Sequence, residues 1–297
     1  MTTARIPVLL PLLFAATLTA RQITTDGLPK RDPHIWADGR TLTYTVETIG
    51  TARMNILRHD LNAGTSTFFF NGNNQTRSDR ELRPSRDGKC YAYNSVSGLS
   101  SRITFHNETT GLKTTMPNMG RASWNNWPTV SPNGRYMAFT EGATLLYLYD
   151  SDLGLATKEN LRRISTPDST HSDLFPSFSP DGRTLAFASN RDKDYEIYLM
   201  DREGSNQRRI THSRGIDRHP MFSPDGRYIA FTSNRDGNPE IYVMDADGNN
   251  PRRITQHPER DDYCCWHPDG KQLALVSERE GRFDIHLLDV SQALANK

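Results

Sequence analysis

The sequence has few cysteines, almost no net charge and no apolar run long enough to span a membrane comfortably. Its 297 residues contain three cysteines and no Cys-x-x-Cys pair, which excludes a disulfide framework and argues against a structural zinc site. The three are Cys90, Cys264 and Cys265. For the adjacent Cys264 and Cys265 we favour two half-buried thiols in a strand over a strained vicinal disulfide.

The charges nearly cancel, with 36 Lys and Arg against 35 Asp and Glu and a net charge of +1. Such a chain has no overall field to hold it on nucleic acid or on an anionic membrane. We therefore expect no nucleic-acid partner. The 12 Phe, 11 Tyr and 4 Trp supply enough large apolar groups for a core at this length, which argues against disorder.

The N-terminus has the pattern of a secretory signal. Arg5 precedes an uncharged, mostly apolar run over residues 6–18, which is too short for a membrane span, and small residues follow as far as Ala20. The alternatives are a buried N-terminal strand and a retained anchor. We predict a signal peptide over residues 1–20 and a mature domain over residues 21–297. The location is then periplasmic or secreted, with no stable membrane span after cleavage.

A ten-residue motif recurs along the chain. Residues 222–231, Phe-Ser-Pro-Asp-Gly-Arg-Tyr-Ile-Ala-Phe, align without gaps on residues 178–187. Weaker or partial copies occupy residues 130–139, 266–275, 36–40 and 85–89. The turn residue of each copy is Asp38, Asp87, Asn133, Asp181, Asp225 or Asp269. These positions are 44 to 49 residues apart, and six units of that size have the period of propeller blades.

The pattern of each unit predicts four strands. Pro-Asp-Gly is a tight turn between two strands, residues 233–237 form a second reversal, residues 240–244 are a third strand and residues 252–255 a short outer strand. Helix-period stretches are absent. Arg-Arg pairs recur on the outer strands at positions 162–163, 208–209 and 252–253. We interpret them as solvated protection of a sheet edge rather than as a phosphate or nucleic-acid patch.

The two ends of the chain predict how the ring closes. Ile23 precedes its turn residue Asp38 by 15 residues, the spacing found for Ile210 and Ile254 in the strong repeats. Residues 283–289 match a third strand, and no outer-strand copy follows them. We therefore predict an all-β, six-bladed propeller with four-stranded antiparallel blades, in which residues 21–25 complete the last blade.

These motifs resemble the WD40-like propeller repeats of the TolB type, strongly over about residues 127–289 and loosely over residues 21–120. TolB has an α/β domain before its propeller, whereas the repeats here begin directly after residue 20. The resemblance implies a periplasmic scaffold whose partner is an envelope protein such as the lipoprotein Pal. Related repeats form peptidase propellers and oligogalacturonate lyases. The chain has no Gly-x-Ser-x-Gly motif, which argues against a peptidase.

Alignment on the turn places six residues at equivalent positions around one mouth of the channel. They are Asp32, Glu81, Trp127, Phe175, His219 and Tyr263. Two carboxylates with four aromatic or imidazole rings can hold a peptide segment, a saccharide or a cation; the alternative is that the rings stack and plug the channel. Asp217 and Arg218, with Asp261 and Asp262, precede the mouth and either add polar contacts or cap loops, which we favour.

Three histidines are candidate metal ligands. His34, His219 and His267 fall at different depths of their repeats, so they do not form an obvious triad. We predict a monomeric binding scaffold with no catalytic residues and no cofactor. The alternative is a metal-dependent polysaccharide lyase of the oligogalacturonate type, with a divalent metal in the channel.

Overall fold

The computed structural model describes residues 20–48, 53–70, 78–119, 124–166 and 170–295, and these form six four-stranded antiparallel sheets. The predicted six-bladed propeller is confirmed. Residues 1–19 of the predicted signal peptide lie outside the described residues, so the boundary at residue 20 stays a prediction. No helix within the described ranges is long and apolar enough to cross a membrane.

The blades follow one another along the chain. Blade 1 contains β2 (Lys30–Ile35), β3 (Thr41–Thr48), β4 (Arg53–Asp60) and β5 (Thr65–Phe68). Blade 2 contains β6 (Ser78–Pro84), β7 (Cys90–Ser97), β8 (Ser100–Asn107) and β9 (Leu112–Thr115). Blade 3 contains β10 (Asn125–Val130), β11 (Tyr136–Glu141), β12 (Leu145–Asp150) and β13 (Leu161–Arg163), with a 3-10 turn at Ser151–Leu153.

The three blades in the second half of the chain are the more regular ones. Blade 4 contains β14 (Asp173–Phe178), β15 (Thr184–Ser189), β16 (Glu196–Asp201) and β17 (Arg208–Arg209). Blade 5 contains β18 (Asp217–Phe222), β19 (Tyr228–Ser233), β20 (Glu240–Asp245) and β21 (Arg252–Arg253). Blade 6 contains β22 (Asp261–Trp266), β23 (Gln272–Arg279), β24 (Arg282–Asp289) and β1 (Ala20–Gln22), and α1 (Ser291–Ala295) follows β24.

The Pro-Asp-Gly segments form the predicted turns between the first two strands. In blade 5, Asp225 Oδ1 accepts hydrogen bonds from Ser223 Oγ at 2.6 Å and from the Arg227 N–H at 3.0 Å. Gly226 has φ +73°, and a Cβ added to it would meet Pro180 of the preceding blade at 3.5 Å. The glycine therefore supplies the left-handed conformation that the turn needs, and it lies at the contact between neighbouring turns.

The N-terminal strand closes the ring, as predicted. β1 pairs with β24 in antiparallel register, Arg21 opposite Leu287 and Gln22 opposite His286. The Ile23 N–H then donates to the Ile285 carbonyl at 2.7 Å. The last blade is thus built from both ends of the described chain, and its outer edge is covered.

A buried lysine reinforces this closure. The Lys30 side chain is fully buried, and its Nζ donates to the Phe283 carbonyl at 3.0 Å, to Asp284 Oδ1 at 3.3 Å and also to Asp26. Asp284 accepts a further bond from Thr24 Oγ1 at 2.8 Å. The N-terminal segment is therefore held by side chains as well as by the strand ladder.

The outer-strand arginines do not all act as solvated edge charges. Arg209 Nη2 contacts Glu196 Oε1 at 2.5 Å, and Arg253 Nη2 contacts Glu240 Oε1 at 2.9 Å. Both glutamates are buried at the start of their third strands. The interpretation as edge protection is therefore wrong for these second arginines, which compensate buried carboxylates inside their own blades.

The core lies between neighbouring blades. In one cluster, Ala186 and Ile197 of blade 4 pack with Ile229 and Phe231 of blade 5. No blade buries its faces alone, so the ring must be complete for the core to be complete.

The adjacent cysteines belong to two such clusters. Cys264 packs between blades 5 and 6, and Cys265 packs between blades 6 and 1. Both are free, buried thiols, and burial raises the pKa of Cys265 to about 11. The favoured reading as two thiols is confirmed, although they are fully rather than half buried.

Candidate functional site

The six predicted mouth residues share one unusual backbone conformation. Their φ angles lie between +51° and +59° at Asp32, Glu81, Trp127, Phe175, His219 and Tyr263. In every blade, the register between the first and second strands shifts across this residue. Each is therefore the extra residue of a β-bulge. The left-handed conformation costs about 1–2 kcal/mol for a residue with a Cβ, so the surrounding fold must impose it.

The bulges bring all six side chains to one central cavity of about 410 Å³. We call these six residues the bulge ring. Farther along the same strands, the cavity reaches the turns of the hairpins. There it is lined by Ala37, Arg86, Pro132, Pro180, Pro224 and Pro268. The volume lies within the range of about 300–1,000 Å³ that is typical of ligand pockets.

Four members of the bulge ring form a continuous arc of rings in contact, in which one pair is tilted, one edge-to-face and one stacked. The ring centroids are 4.4 Å apart for Trp127 and Phe175, 4.1 Å for Phe175 and His219, and 4.5 Å for His219 and Tyr263. Contact between neighbouring rings is what the plug alternative requires. The same four half-buried side chains also line the cavity, so the arc forms its aromatic wall.

The opposite wall, from blades 1 and 2, is polar. Glu81 is buried, and its Oε2 accepts a hydrogen bond from the Trp127 N–H at 2.7 Å. Burial raises the pKa of Glu81 and the Asp32 carboxylate adds to this, whereas Arg80 opposes it. Arg83 Nη2 lies 3.6 Å from Asp32 Oδ1. This wall therefore offers carboxyl and guanidinium groups opposite the aromatic arc.

Sequence reasoning missed His34 as a cavity residue. His34 lies two residues beyond Asp32 and lines the cavity, as Arg83 and Met221 do at the matching places of blades 2 and 5. Burial, assisted by the Arg83 charge, lowers the pKa of His34 to about 3. Its Nδ1 is buried and has no hydrogen-bond partner. The signal was present in the repeat alignment, which pairs His34 with Met221.

Acidification is expected to expose the cost of keeping His34 neutral. Below pH 6.5 the unfolded chain binds a proton at His34 that the folded chain does not bind until about pH 3. The free energy of unfolding therefore decreases as the pH is lowered through that range. At pH 5 this amounts to about 2 kcal/mol relative to pH 7. Urea unfolding of wild type and His34→Gln at both pH values measures it, because the variant lacks this contribution. An equal loss in both proteins would contradict a neutral His34.

Asp262 anchors the imidazole of the arc. His219 Nδ1 lies 3.0 Å from Asp262 Oδ1, which also accepts from Thr232 Oγ1 at 2.8 Å and from the Tyr263 N–H at 2.8 Å. Burial opposes ionisation, but His219 and these donors outweigh it and lower the pKa of Asp262 to about 2. Asp262, which the sequence placed on a loop, thus fixes the orientation of His219.

The three candidate histidines do not converge. His34 and His219 line the cavity, whereas His267 lies at the turns, with Nε2 3.1 Å from the Gly39 carbonyl and Nδ1 2.9 Å from Asp269 Oδ1. Over the described ranges, no three or more His, Cys, Asp or Glu side chains are grouped so as to hold a metal ion.

The structure places Asp217 and Arg218 beside the bulge ring but not in the cavity lining. Asp217 is fully buried and forms an ion pair with Arg235 at 2.8 Å. Arg218 is half-buried, and its Nε has no hydrogen-bond partner. The ion pair recurs as Asp173 with Arg191 at 3.1 Å and Asp261 with Arg279 at 3.0 Å. The sequence signal is an Asp every 44 residues with an Arg 18 residues later.

The comparison with known families fits this architecture. The family model of the TolB beta propeller domain matches residues 128–296, more than half of the chain. The chain belongs to the TolB β-propeller family. The match covers the four regular repeats, and the structure extends the same blade to the two degenerate repeats before them.

Solved structures similar to this TolB-family propeller include TolB proteins and an oligogalacturonate lyase. A putative TolB from Agrobacterium tumefaciens is 22% identical with a TM-score of 0.65, covering 90% of this chain and 93% of that one. TolB from Acinetobacter baumannii is 19% identical with a TM-score of 0.64, covering 89% and 66%. An oligogalacturonate lyase in complex with manganese is 16% identical with a TM-score of 0.65, covering 93% and 94%. At these identities the likeness concerns the fold alone.

Proposed function

We propose that this TolB-family propeller is an exported, monomeric binding module that holds an extended peptide segment of an envelope protein in its central cavity. The observation that carries the proposal is the pairing of an aromatic arc with a polar wall around one cavity. An apolar side chain of the segment packs against the arc. The backbone amides and carbonyls of the segment meet the carboxyl and guanidinium groups of Glu81 and Arg83.

The bulge ring is suited to binding because it is fixed before the ligand arrives. His219 is stacked on Tyr263 and meets Phe175 edge to face. It is also hydrogen-bonded to Asp262, and Trp127 is tied to Glu81 through its backbone. A surface whose side chains are already ordered loses less conformational entropy on binding. Export rests on the signal-like pattern of residues 1–20, and the envelope partner rests on the family resemblance.

The second candidate is a metal-dependent polysaccharide lyase. The fold likeness to an oligogalacturonate lyase with manganese is what favours it. A metal-assisted lyase needs several ligands around one ion and a base near the sugar. The parts of the chain that the structure describes contain no such group of three ligands, so we prefer binding without chemistry.

His219→Ala and Tyr263→Ala are expected to lower recovery of the partner at least tenfold while both variants keep the folded structure. The measurement is quantitative mass spectrometry of proteins captured from an envelope fraction on the mature chain. Phe68→Ala is the matched control, because Phe68 is a half-exposed aromatic residue on the outer strand of blade 1 and its loss leaves capture unchanged.

Two outcomes would overturn the binding proposal. If both alanine variants lose their fold, the arc is a structural plug rather than a binding surface. If purified protein contains a divalent metal and releases unsaturated products from pectic oligosaccharides, the lyase is correct.

A further inference from the structure

Blade 3 lacks an arginine that the following blades share. In blades 4 and 5 the guanidinium that pairs with the buried Asp also lies over two aromatic rings. Arg191 Cζ is 5.5 Å from the Phe187 centroid and 4.6 Å from the Tyr198 centroid. The distances for Arg235 to Phe231 and Tyr242 are 5.4 and 4.7 Å. Each guanidinium therefore has a carboxylate partner and an aromatic face.

Blade 3 retains the rings and the polar positions of this arrangement. Phe139 and Tyr147 have centroids 5.9 Å apart, against 5.8 Å for the equivalent pairs of blades 4 and 5. Asn125 occupies the place of the buried Asp, and Glu141 occupies the place of the serine that ends the second strand. Ala143 stands two residues after Glu141, where the arginines stand in the other blades.

Two polar side chains of blade 3 have buried atoms without hydrogen-bond partners. Asn125 Nδ2 and Oδ1 and Glu141 Oε1 are buried and make no hydrogen bond. Asn125 is 0% exposed and Glu141 is 5% exposed. Among the described residues, no Lys, Arg or His nitrogen lies within 4.0 Å of the Glu141 carboxylate. A buried carboxylate without a cation is costly, which favours a cation supplied from outside the described residues.

The surface next to this site carries exposed apolar groups. Trp124 directly precedes Asn125 and is 42% exposed. Its backbone forms a bridge with Ser101, two residues beyond Leu99, which is 87% exposed. An exposed Trp is among the residues that dominate the binding energy of protein interfaces, together with Tyr and Arg.

We propose that blade 3 receives an arginine side chain of a partner protein. The guanidinium packs on Phe139 and Tyr147 and donates to Glu141 and to Asn125 Oδ1, as Arg191 and Arg235 do within their own blades. Trp124 and Leu99 contact apolar residues beside that arginine. Arginine is favoured over lysine because a planar guanidinium both stacks on rings and binds two acceptors. None of these residues lines the central cavity, so the proposal is independent of the proposed function.

The first test uses N-acetyl-L-arginine amide as a probe of the site. Saturable binding to the wild-type chain is expected by NMR titration, with no binding of the uncharged N-acetyl-L-citrulline amide. Glu141→Gln is expected to weaken binding at least fivefold, and Asn125→Asp to strengthen it about tenfold, since it restores the acidic partner of the other blades. Glu159→Gln, at an exposed site, is the matched control. Equal binding to wild type and Glu141→Gln would overturn the proposal.

A second readout does not depend on the affinity of a small probe. Without ligand, Glu141→Gln is expected to raise the melting temperature, because it removes a buried charge that has no partner. A lower melting temperature in this variant would show that Glu141 is already compensated, and the proposal would fall.

Grafting the hairpin of blade 5 tests the geometry directly. Replacing residues 141–145 by residues 233–240 together with Asn125→Asp supplies the arginine within the chain. This variant should melt higher than the wild type and no longer bind the probe. Unchanged probe binding would show that the probe binds elsewhere, and it would contradict the proposed arginine site. Arg121 lies outside the described residues. Probe binding that appears only after Arg121→Ala would identify this arginine as the occupant and would equally refute a partner.

Discussion

Deleting residues 21–26 is expected to lower the melting temperature of the propeller by about 10 °C or more. The deletion removes the ladder between β1 and β24, the Thr24–Asp284 hydrogen bond and the Asp26 contact of Lys30. It leaves the buried Lys30 with fewer acceptors and uncovers an edge of blade 6. For a domain of this size each kcal/mol shifts the melting temperature by about 2–4 °C, and several are lost here. Differential scanning calorimetry of the mature chain measures the effect.

A rearranged chain is the control for this deletion. In this variant, residues 21–26 are removed from the N-terminus and inserted after Val290. A copy of residues 247–251, the segment that precedes β21 in blade 5, serves as the linker. Blade 6 then has the continuous connectivity of the other blades. The melting temperature should largely recover, since the same strand is present at the same edge. If the deletion leaves the melting curve unchanged, or the rearranged chain stays as unstable as the deletion, closure by this strand does not stabilise the ring.

The closure of the ring by the N-terminal strand was predictable, because it depends on the spacing of the motifs along the chain rather than on the packing of side chains. The offset of 15 residues between Ile23 and Asp38 matches the strong repeats, and a propeller leaves a third strand at the C-terminus in need of an outer partner. The bulge ring was predictable for the same reason. Equivalent positions in a closed ring of repeats face the same axis, whatever side chains they carry.

The conformation of the bulge ring was not predictable from its residues. Trp127, Phe175 and His219 each precede a proline, a position that normally favours extended backbone, yet their φ angles are +51° to +55°. Nothing local favours this, because the bulge arises from the register shift between paired strands. A tertiary constraint overrides the local preference, and it also accounts for the unexpected lining by His34 two residues farther on.

The buried ion pairs were missed for a different reason. The sequence suggests that Asp217, Arg218, Asp261 and Asp262 lie on the loops that lead into the mouth, because they precede the bulge-ring position of their repeats. The structure places them in the first strands of two blades, where Asp217 pairs with Arg235 and Asp262 holds His219. Alternation of side chains along a strand sends neighbours to opposite faces. The exact 44-residue recurrence of the Asp and Arg was the available signal, and it reports packing within a blade rather than binding at the mouth.

Asp217→Asn is expected to destabilise the propeller by about 3–5 kcal/mol, the cost of leaving one partner of a buried ion pair uncompensated. The Asp217 side chain is 0% exposed and the Arg235 side chain 19% exposed, with 2.8 Å between them. The remaining guanidinium cannot reach bulk water without giving up its contacts with Phe231 and Tyr242. Equilibrium unfolding in urea measures the change.

Two variants make this prediction specific to the pair. Asp225→Asn removes the carboxylate of an ion pair with Arg227 on the surface of the same blade, where the side chains are 41% and 72% exposed, and it should leave the unfolding midpoint nearly unchanged. The double variant Asp217→Asn with Arg235→Met removes both charges, and it should recover much of the lost stability because no buried charge is then left alone. If the double variant is as unstable as the sum of the single changes, the two side chains do not stabilise each other, and the pair is a consequence of the blade geometry rather than a contributor to it.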